Sequence, residues 1–293
     1  MSFFRYAGGK SKLRELIIQR LVDIGKPCCL EYREPFFGGG SVGLNYFRHR
    51  DKYGKLFVSR PNFSRLWIND RDYGISCLWT SVIKYPQELC AKVRAFTPSV
   101  EAFYDIKNEL LSLVHASEDV VDIGFRKLAI HQISYSGLGT MSGGPLGGAS
   151  QQSKYGIGCR WSPEYICKQI MKIHYEFSHL TVHSEKCTDY DFQDLITDTS
   201  VPALLYLDPP YYVKGNVLYQ EKFSCEDHTR LATLLHETKH CWLLSYDDCP
   251  EIRELYKWAH LESVDVNYSI TAAKKDGKSV SRTKPELLIW RPL

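Results

Sequence analysis
The residues of this chain best suited to chemistry are Asp208-Pro209-Pro210-Tyr211, which follow the apolar run Ala203 to Leu207. A short apolar run stopped by an acid and two prolines reads as a buried strand ending at its carboxyl edge. Open α/β sheets place their ligands at that edge. Each proline fixes its own φ near about −65° and donates no N–H, so the turn carries rigidly aimed acceptors beside an aromatic face. Such a rim suits an exocyclic amine on a heteroaromatic base. A carboxylate and a backbone carbonyl there can accept both amine hydrogens and stabilise the positive charge that grows as the nitrogen attacks a methyl group. Tyr211 can stack on the base. The plain alternative is a proline-stopped strand and a buried tyrosine.

A glycine-rich stretch could hold a nucleotide-like ligand. Gly38, Gly40 and Gly43 satisfy G-x-G-x-x-G between a strand read at Cys28 to Tyr32 and a following helix. A dinucleotide needs its pyrophosphate at the helix N-terminus. S-adenosyl-L-methionine has no phosphate and needs its charged amino-acid end met by polar groups such as Glu34; the preceding acid and proline favour this second class. Asp70 ends a second strand, Leu66 to Asp70, where doubly wound sheets place an acid on ribose hydroxyls; the alternative is a cap on the next helix. Asp189, after a further strand, could accept an adenine amino group. Gly9-Lys10-Ser11 looks like a phosphate loop, but the first glycine of G-x-x-x-x-G-K-S would fall on Phe4, and no strand precedes it. A loop whose amides and Lys10 converge on an anion stands beside a plain helix-start turn as the remaining readings.

Positioning these groups requires strands that alternate with helices. Leu13 to Leu21 carries a helical pattern, and the chain is mainly helical from Tyr73 to about Ser134. Gly137 to Gly158 is glycine-rich and nearly uncharged, and is expected to form a long flexible loop. A helix opens at Ser162-Pro163-Glu164 and a strand is read at Leu180 to Ser184. Glu226 to Lys239 and Pro250 to Ala259 read as helices, with a buried strand at Cys241 to Tyr246 between them. Val264 to Ile270 and Glu286 to Trp290 form a terminal hairpin. The expected fold is α/β: a Rossmann-like, doubly wound, mostly parallel sheet with a C-terminal antiparallel hairpin.

At 293 residues, 44% hydrophobic and 24% charged, the chain has the composition of an ordinary globular protein. No run approaches the ~18 apolar residues of a membrane span, and the first residues lack a signal-peptide pattern, so a cytoplasmic protein without membrane contact is expected. The net charge of +3 is mild. Its distribution says more: Lys274, Lys275, Lys278, Arg282 and Lys284 face a single acid, Asp276, a density that suits phosphate contacts, with a solvated hairpin tip as the alternative. Lys154 and Arg160, in and after the glycine-rich stretch, are further candidates for nucleic-acid contact. Ten scattered cysteines without a C-x-x-C pair read as reduced thiols. His183 and Cys187 lack a second pair, so no metal site is expected.

In this order, Tyr6-Ala7-Gly8-Gly9-Lys10, the run from Glu34 to Asn45, Asp70, Asp208 to Tyr211 and Ser245-Tyr246-Asp247-Asp248 resemble the Dam-like family of DNA adenine-N6 methyltransferases, class D12, α group. The resemblance implies S-adenosyl-L-methionine as methyl donor, surrounded by Tyr6, Lys10, Glu34, Phe36, Gly38, Gly40, Asp70, Asp189, Tyr190 and Asp208. It implies that Asp208 and the Pro209 carbonyl hold the target amine while Tyr211, on the turn stiffened by Pro210, stacks on an adenine extruded from double-stranded DNA. It further implies a catalytic domain, 1–72 with 178–293, and a helical target-recognition insertion, 73–177, acting as a monomer without metal. Relatives that read GATC carry arginine and asparagine after a Tyr-Asn-Gly-Leu-type turn. Here Tyr135-Ser136-Gly137-Leu138 matches only the turn, and no arginine follows until Arg160. Bidentate arginine gives the strongest guanine readout, so a relaxed or different recognition sequence is expected. Methylation of cytosine N4 or of RNA adenine would use the same rim. A catalytically silent DNA-binding relative and, on G-x-G-x-x-G alone, an NAD-linked oxidoreductase are the other readings.

Overall fold
A computed structural model describes residues 3–6, 8–10, 12–25, 28–48, 63, 65–113, 119–178, 187–213, 223–268 and 282–291. Among these residues the strands are β1 (Glu31–Glu34), β2 (Arg65–Asn69), β3 (Cys187–Thr188), β4 (Ala203–Leu207), β5 (Cys241–Asp247), β6 (His260–Tyr268) and β7 (Arg282–Trp290). They form one sheet of order β3-β2-β1-β4-β5-β7-β6. Pairing is parallel from β3 through β5, and β7 runs antiparallel to both β5 and β6. The fold is therefore mixed α/β with an antiparallel C-terminal pair. Strand order reverses between β1 and β4, so the loops leaving those two strands diverge and open a crevice at their carboxyl ends.

β4 lies where its apolar run and following prolines predict. Leu204 and Tyr206 pack into one apolar cluster, and Ala203, Leu205 and Leu207 into another, so the strand is covered on both faces. β1 departs from expectation. The apolar run suggests Cys28 to Tyr32, but the strand is Glu31–Glu34, and its charged residues are buried. Arg33 makes this possible: its guanidinium donates to Glu31 Oε2 at 2.6 Å and to the carbonyls of Leu195, Asp198 and Val201 at 2.7, 2.6 and 3.4 Å. A fully paired charge can stay inside where an isolated one cannot.

The helices are α1 (Arg14–Ile24), α2 (Gly43–Arg48), α3 (Tyr73–Lys84), α4 (Pro86–Ala95), α5 (Val100–Leu111), α6 (Val120–Ile133), α7 (Pro163–Phe177), α8 (Phe192–Thr197), α9 (Cys225–Glu237) and α10 (Pro250–Leu255). The helical stretch expected from Tyr73 onward resolves into α3 to α6, with Asp72, Ser99 and Asp119 accepting amide hydrogen bonds as N-caps of α3, α5 and α6. Ile75, Leu78, Trp79 and Val82 of α3 share a core with the sheet, whereas Phe103 and Ile106 of α5 and Ile130 and Ile133 of α6 form a separate cluster. The strand read at 180–184 lies outside the described residues, as does His183.

Replacing Arg33 with alanine strands Glu31 as an unpaired buried charge. A loss on the order of 3–5 kcal/mol in urea-unfolding free energy is expected; a loss below about 1 kcal/mol would show that the pair carries no such burden.

Candidate active site
The carboxyl ends of β1, β2 and β4 enclose, with the turn before α1, a cavity of about 280 Å³. Its lining includes Tyr6, Glu34, Phe36, Gly38, Asp70, Tyr190, Tyr206, Asp208 and Pro210. The glycine bend after β1 forms one wall. Gly38 has φ +47°, and a Cβ there would sit 2.6 Å from the Tyr6 ring, so only glycine fits without displacing that ring. Its amide donates to Asp70 Oδ2 at 2.7 Å and its carbonyl accepts from Trp79 Nε1 at 2.8 Å. Gly40, also at positive φ, packs on Phe37 and Trp79 and is not part of the lining.

Asp70 is the acid expected at the end of β2, and it does not cap α3. Asp72 does, accepting from the Ile75 amide at 3.2 Å and pairing with Lys127, while Asp70 Oδ1 accepts from the Asp72 amide at 3.0 Å. Burial, with the adjacent Asp72 charge, pushes the Asp70 carboxyl up to about 7. Burial also pushes Glu34 well above the usual carboxylate range, although its Oε2 accepts from the Tyr32 hydroxyl at 2.8 Å.

The far wall is aromatic. Phe36 lies 5.8 Å from Phe192 and 5.7 Å from Phe223, centroid to centroid. The Arg230 guanidinium sits 4.4 Å over Phe192 and pairs with Asp191 and Asp227 at 2.9 Å each. Asp189 is absent from the lining, which runs through Tyr190, Asp191 and Phe192. β3 ends at Thr188, and the acid of the lining, Asp191, is the N-cap of α8, accepting from the Gln193 amide at 2.9 Å. Phe223 and Arg230 carry no local motif that would have singled them out.

Asp208 stands where β4 ends. Its Oδ1 takes Lys10 Nζ at 2.7 Å and the Ser245 hydroxyl at 2.9 Å, and the Tyr206 and Ser245 hydroxyls lie 2.9 Å apart. Ser245 has one proton, so when it donates to Asp208 the Tyr206 hydroxyl donates to Ser245. Burial pushes the Asp208 carboxyl up, and the Lys10 ammonium opposes that shift. Lys10 Nζ also lies 4.5 Å above the Tyr211 ring, whose hydroxyl donates to Glu286 Oε2 at 2.6 Å. Pro209 and Tyr211 flank the cavity without lining it. The arrangement is a partly buried carboxylate and an aromatic face next to an acid-lined, aromatic-walled cavity, capable of holding an amine-borne positive charge.

Residues 6–270 match the family described as D12 class N6 adenine-specific DNA methyltransferase. The chain belongs to this family. It is an adenine-specific DNA methyltransferase, and DNA is its substrate. No curated protein matches the chain.

Of this methyltransferase's expected DNA contacts, Lys154 and Arg160 are exposed. Arg282 begins β7, and Lys274, Lys275 and Lys278 lie outside the described residues. The glycine-rich stretch differs from expectation. It holds three 3-10 turns, Tyr135–Gly137, Gly139–Met141 and Ile157–Arg160, with a bridge between Ser134 and Pro145. Gln151 is committed internally: its side-chain Nε2 donates to the Leu146 carbonyl at 2.9 Å and its Oε1 accepts from the Ile157 amide at 2.7 Å. Side-chain bonds to backbone replace ladder bonds here, a pattern invisible to periodicity. Among the described residues no helix is long and apolar enough to cross a membrane.

Asp70 generates a pH prediction. Unfolded, the carboxyl ionises near 3.8; folded, it holds its proton to about 7. Its contribution is fully present below pH 3.8 and is lost as pH rises to about 7, beyond which it is constant. Asp70→Asn should therefore flatten the decline in melting temperature between pH 4 and pH 7 relative to the parent. Parallel melting curves across that window would refute the assignment.

Proposed function
We propose that this methyltransferase uses S-adenosyl-L-methionine to methylate N6 of an adenine flipped out of duplex DNA, with a recognition sequence that is relaxed or different from GATC. The observation that carries the reading is Asp208: a partly buried carboxylate, already holding a cation against the Tyr211 face, in the lining of a cavity that extends to the glycine bend and Asp70.

The chemistry of the lining fits the donor. Asp70 offers oxygens for ribose hydroxyls, Phe36, Phe192 and Phe223 offer an apolar slot for an adenine ring, and Glu34 with the Gly8-Gly9 turn offers polar groups for the amino-acid end. When bound, S-adenosyl-L-methionine supplies an electrophilic methyl group, and the C–S bonding pair stays with sulfur as the N6 lone pair takes the carbon. Asp208 accepts a hydrogen bond from the target amine, with the Pro209 carbonyl as second acceptor, and so orients the lone pair. Its negative charge stabilises the positive charge accumulating on the base. The surplus N6 proton leaves to solvent after transfer, so Asp208 acts by hydrogen bonding and need not be a strong base. Tyr211 stacks on the extruded ring.

Extruding a base costs a few kcal/mol, which DNA-backbone contacts must offset. Lys154, Arg160, Lys274, Lys275, Lys278 and Arg282 supply positive charge for phosphates. Residues 73–177 act as the target-recognition part, and one chain suffices for one site.

Asp208→Ala should lower methyl transfer by at least about 10³-fold, measured as N6-methyl-2′-deoxyadenosine released from plasmid DNA prepared in a host without adenine methylation. Calorimetric binding of S-adenosyl-L-methionine should persist. Transfer near the parental rate would remove Asp208 from this role.

A further inference from the structure
β5 and β7 pair so that Asp247 stands directly opposite Glu286. Two carboxylates facing each other across an antiparallel ladder repel, and Glu286 is only 2% exposed. Both find donors in the same short turn. Asp247 accepts the amides of Tyr212 and Val213 at 3.0 Å each, and Glu286 accepts the Tyr211 hydroxyl at 2.6 Å. Pro209 and Pro210 have no N–H, so these are the first main-chain amides after Asp208-Pro209-Pro210 that can tie the turn down, apart from that of Tyr211. Burial, with the Asp208 and Glu286 charges nearby, pushes the Tyr211 phenol well up, which keeps the proton on Tyr211 and makes Glu286 the acceptor.

The bond at 2.6 Å lies in the short range of hydrogen bonds to a carboxylate. A phenol that donates to a carboxylate carries more electron density in its ring, and an electron-rich ring attracts cations more strongly over its face. That face already receives a cation, since Lys10 Nζ lies 4.5 Å above it while 2.7 Å from Asp208.

We propose that Glu286 is a positioning residue for methyl transfer: by holding the Tyr211 hydroxyl it fixes the plane of the ring and enriches its face, which then stabilises the positive charge gathering on the target amine beside Asp208. Asp247 completes the clamp by holding the next two amides. This role rests on the reading that the base amine is alkylated at Asp208.

The test compares the parent, Glu286→Gln, Tyr211→Phe and the double variant. Each is assayed for melting temperature, S-adenosyl-L-methionine binding, KM for unmethylated plasmid DNA and single-turnover transfer rate. Glu286→Gln should slow single-turnover transfer about tenfold, the scale of a desolvated cation–aromatic contact, with donor affinity and DNA KM within about twofold of the parent. The double variant should be no slower than Tyr211→Phe, because Glu286 acts on transfer through that hydroxyl. A near-ultraviolet difference band between parent and Glu286→Gln, missing on the Tyr211→Phe background, would report the single bonded phenol. Parental transfer by Glu286→Gln, losses that multiply in the double variant, or an effect on KM alone would each overturn the proposal. Should Glu286→Gln fail to fold, Tyr211→Phe alone decides: it must slow transfer at unchanged donor affinity, and a parental rate overturns the proposal. A parent that leaves no N6-methyl-2′-deoxyadenosine in the DNA would instead defeat the underlying reading, whatever the variants do.

Discussion
A carboxylate at the end of a strand buried on both faces persists only where donors and a cation reach it. Around Asp208 those groups come from three parts of the chain. Lys10 arrives from the turn before α1, Ser245 from the neighbouring parallel strand, and Tyr206 from β4 itself by way of Ser245. The chain's first turn and its later strands are thereby joined at a single oxygen. The geometry that stabilises the carboxylate also leaves an aromatic face and an open cavity beside it.

The cavity is unusually rich in acid. Glu34, Asp70 and Asp208 all line it, and their mutual repulsion adds to desolvation in pushing Glu34 up. Only Asp208 among them is paired with an ammonium within 4 Å in the described residues. Asp70 instead leans on backbone amides, one from the glycine bend and one from the start of α3. This makes the glycine bend a partner of the acid as well as a wall of the cavity. α3 contributes to the bend too, since its Trp79 Nε1 donates to the Gly38 carbonyl.

The C-terminal antiparallel strand has a purpose that a purely parallel sheet would not serve. By entering between β5 and β6, β7 brings Glu286 opposite Asp247 and within hydrogen-bond reach of Tyr211 in the turn after β4. A parallel neighbour would require a long crossover to reach the same edge.

Much of this was legible in the linear chain, for reasons that operate over a few residues. The end of β4 at Asp208 follows from an apolar run and two prolines. The glycine bend follows from G-x-G-x-x-G, the acid after β2 from its place in the pattern, and the helices after Tyr73 from apolar spacing. The span of β1 is hidden from local reading because Arg33 pairs with Glu31 and donates to the carbonyls of Leu195, Asp198 and Val201, distant partners that no local pattern announces. The order of the glycine-rich stretch is hidden for a different reason, since it comes from side chains bonding backbone. The cavity wall at Asp191 and Phe192, the pairing of Lys10 with Asp208, and the hold of Glu286 on Tyr211 join groups far apart in the chain. Residue order encodes propensity, turn chemistry and the positions of reactive groups. Which of those groups meet is set by strand order and register, because contacts between distant segments exist only once the sheet has assembled.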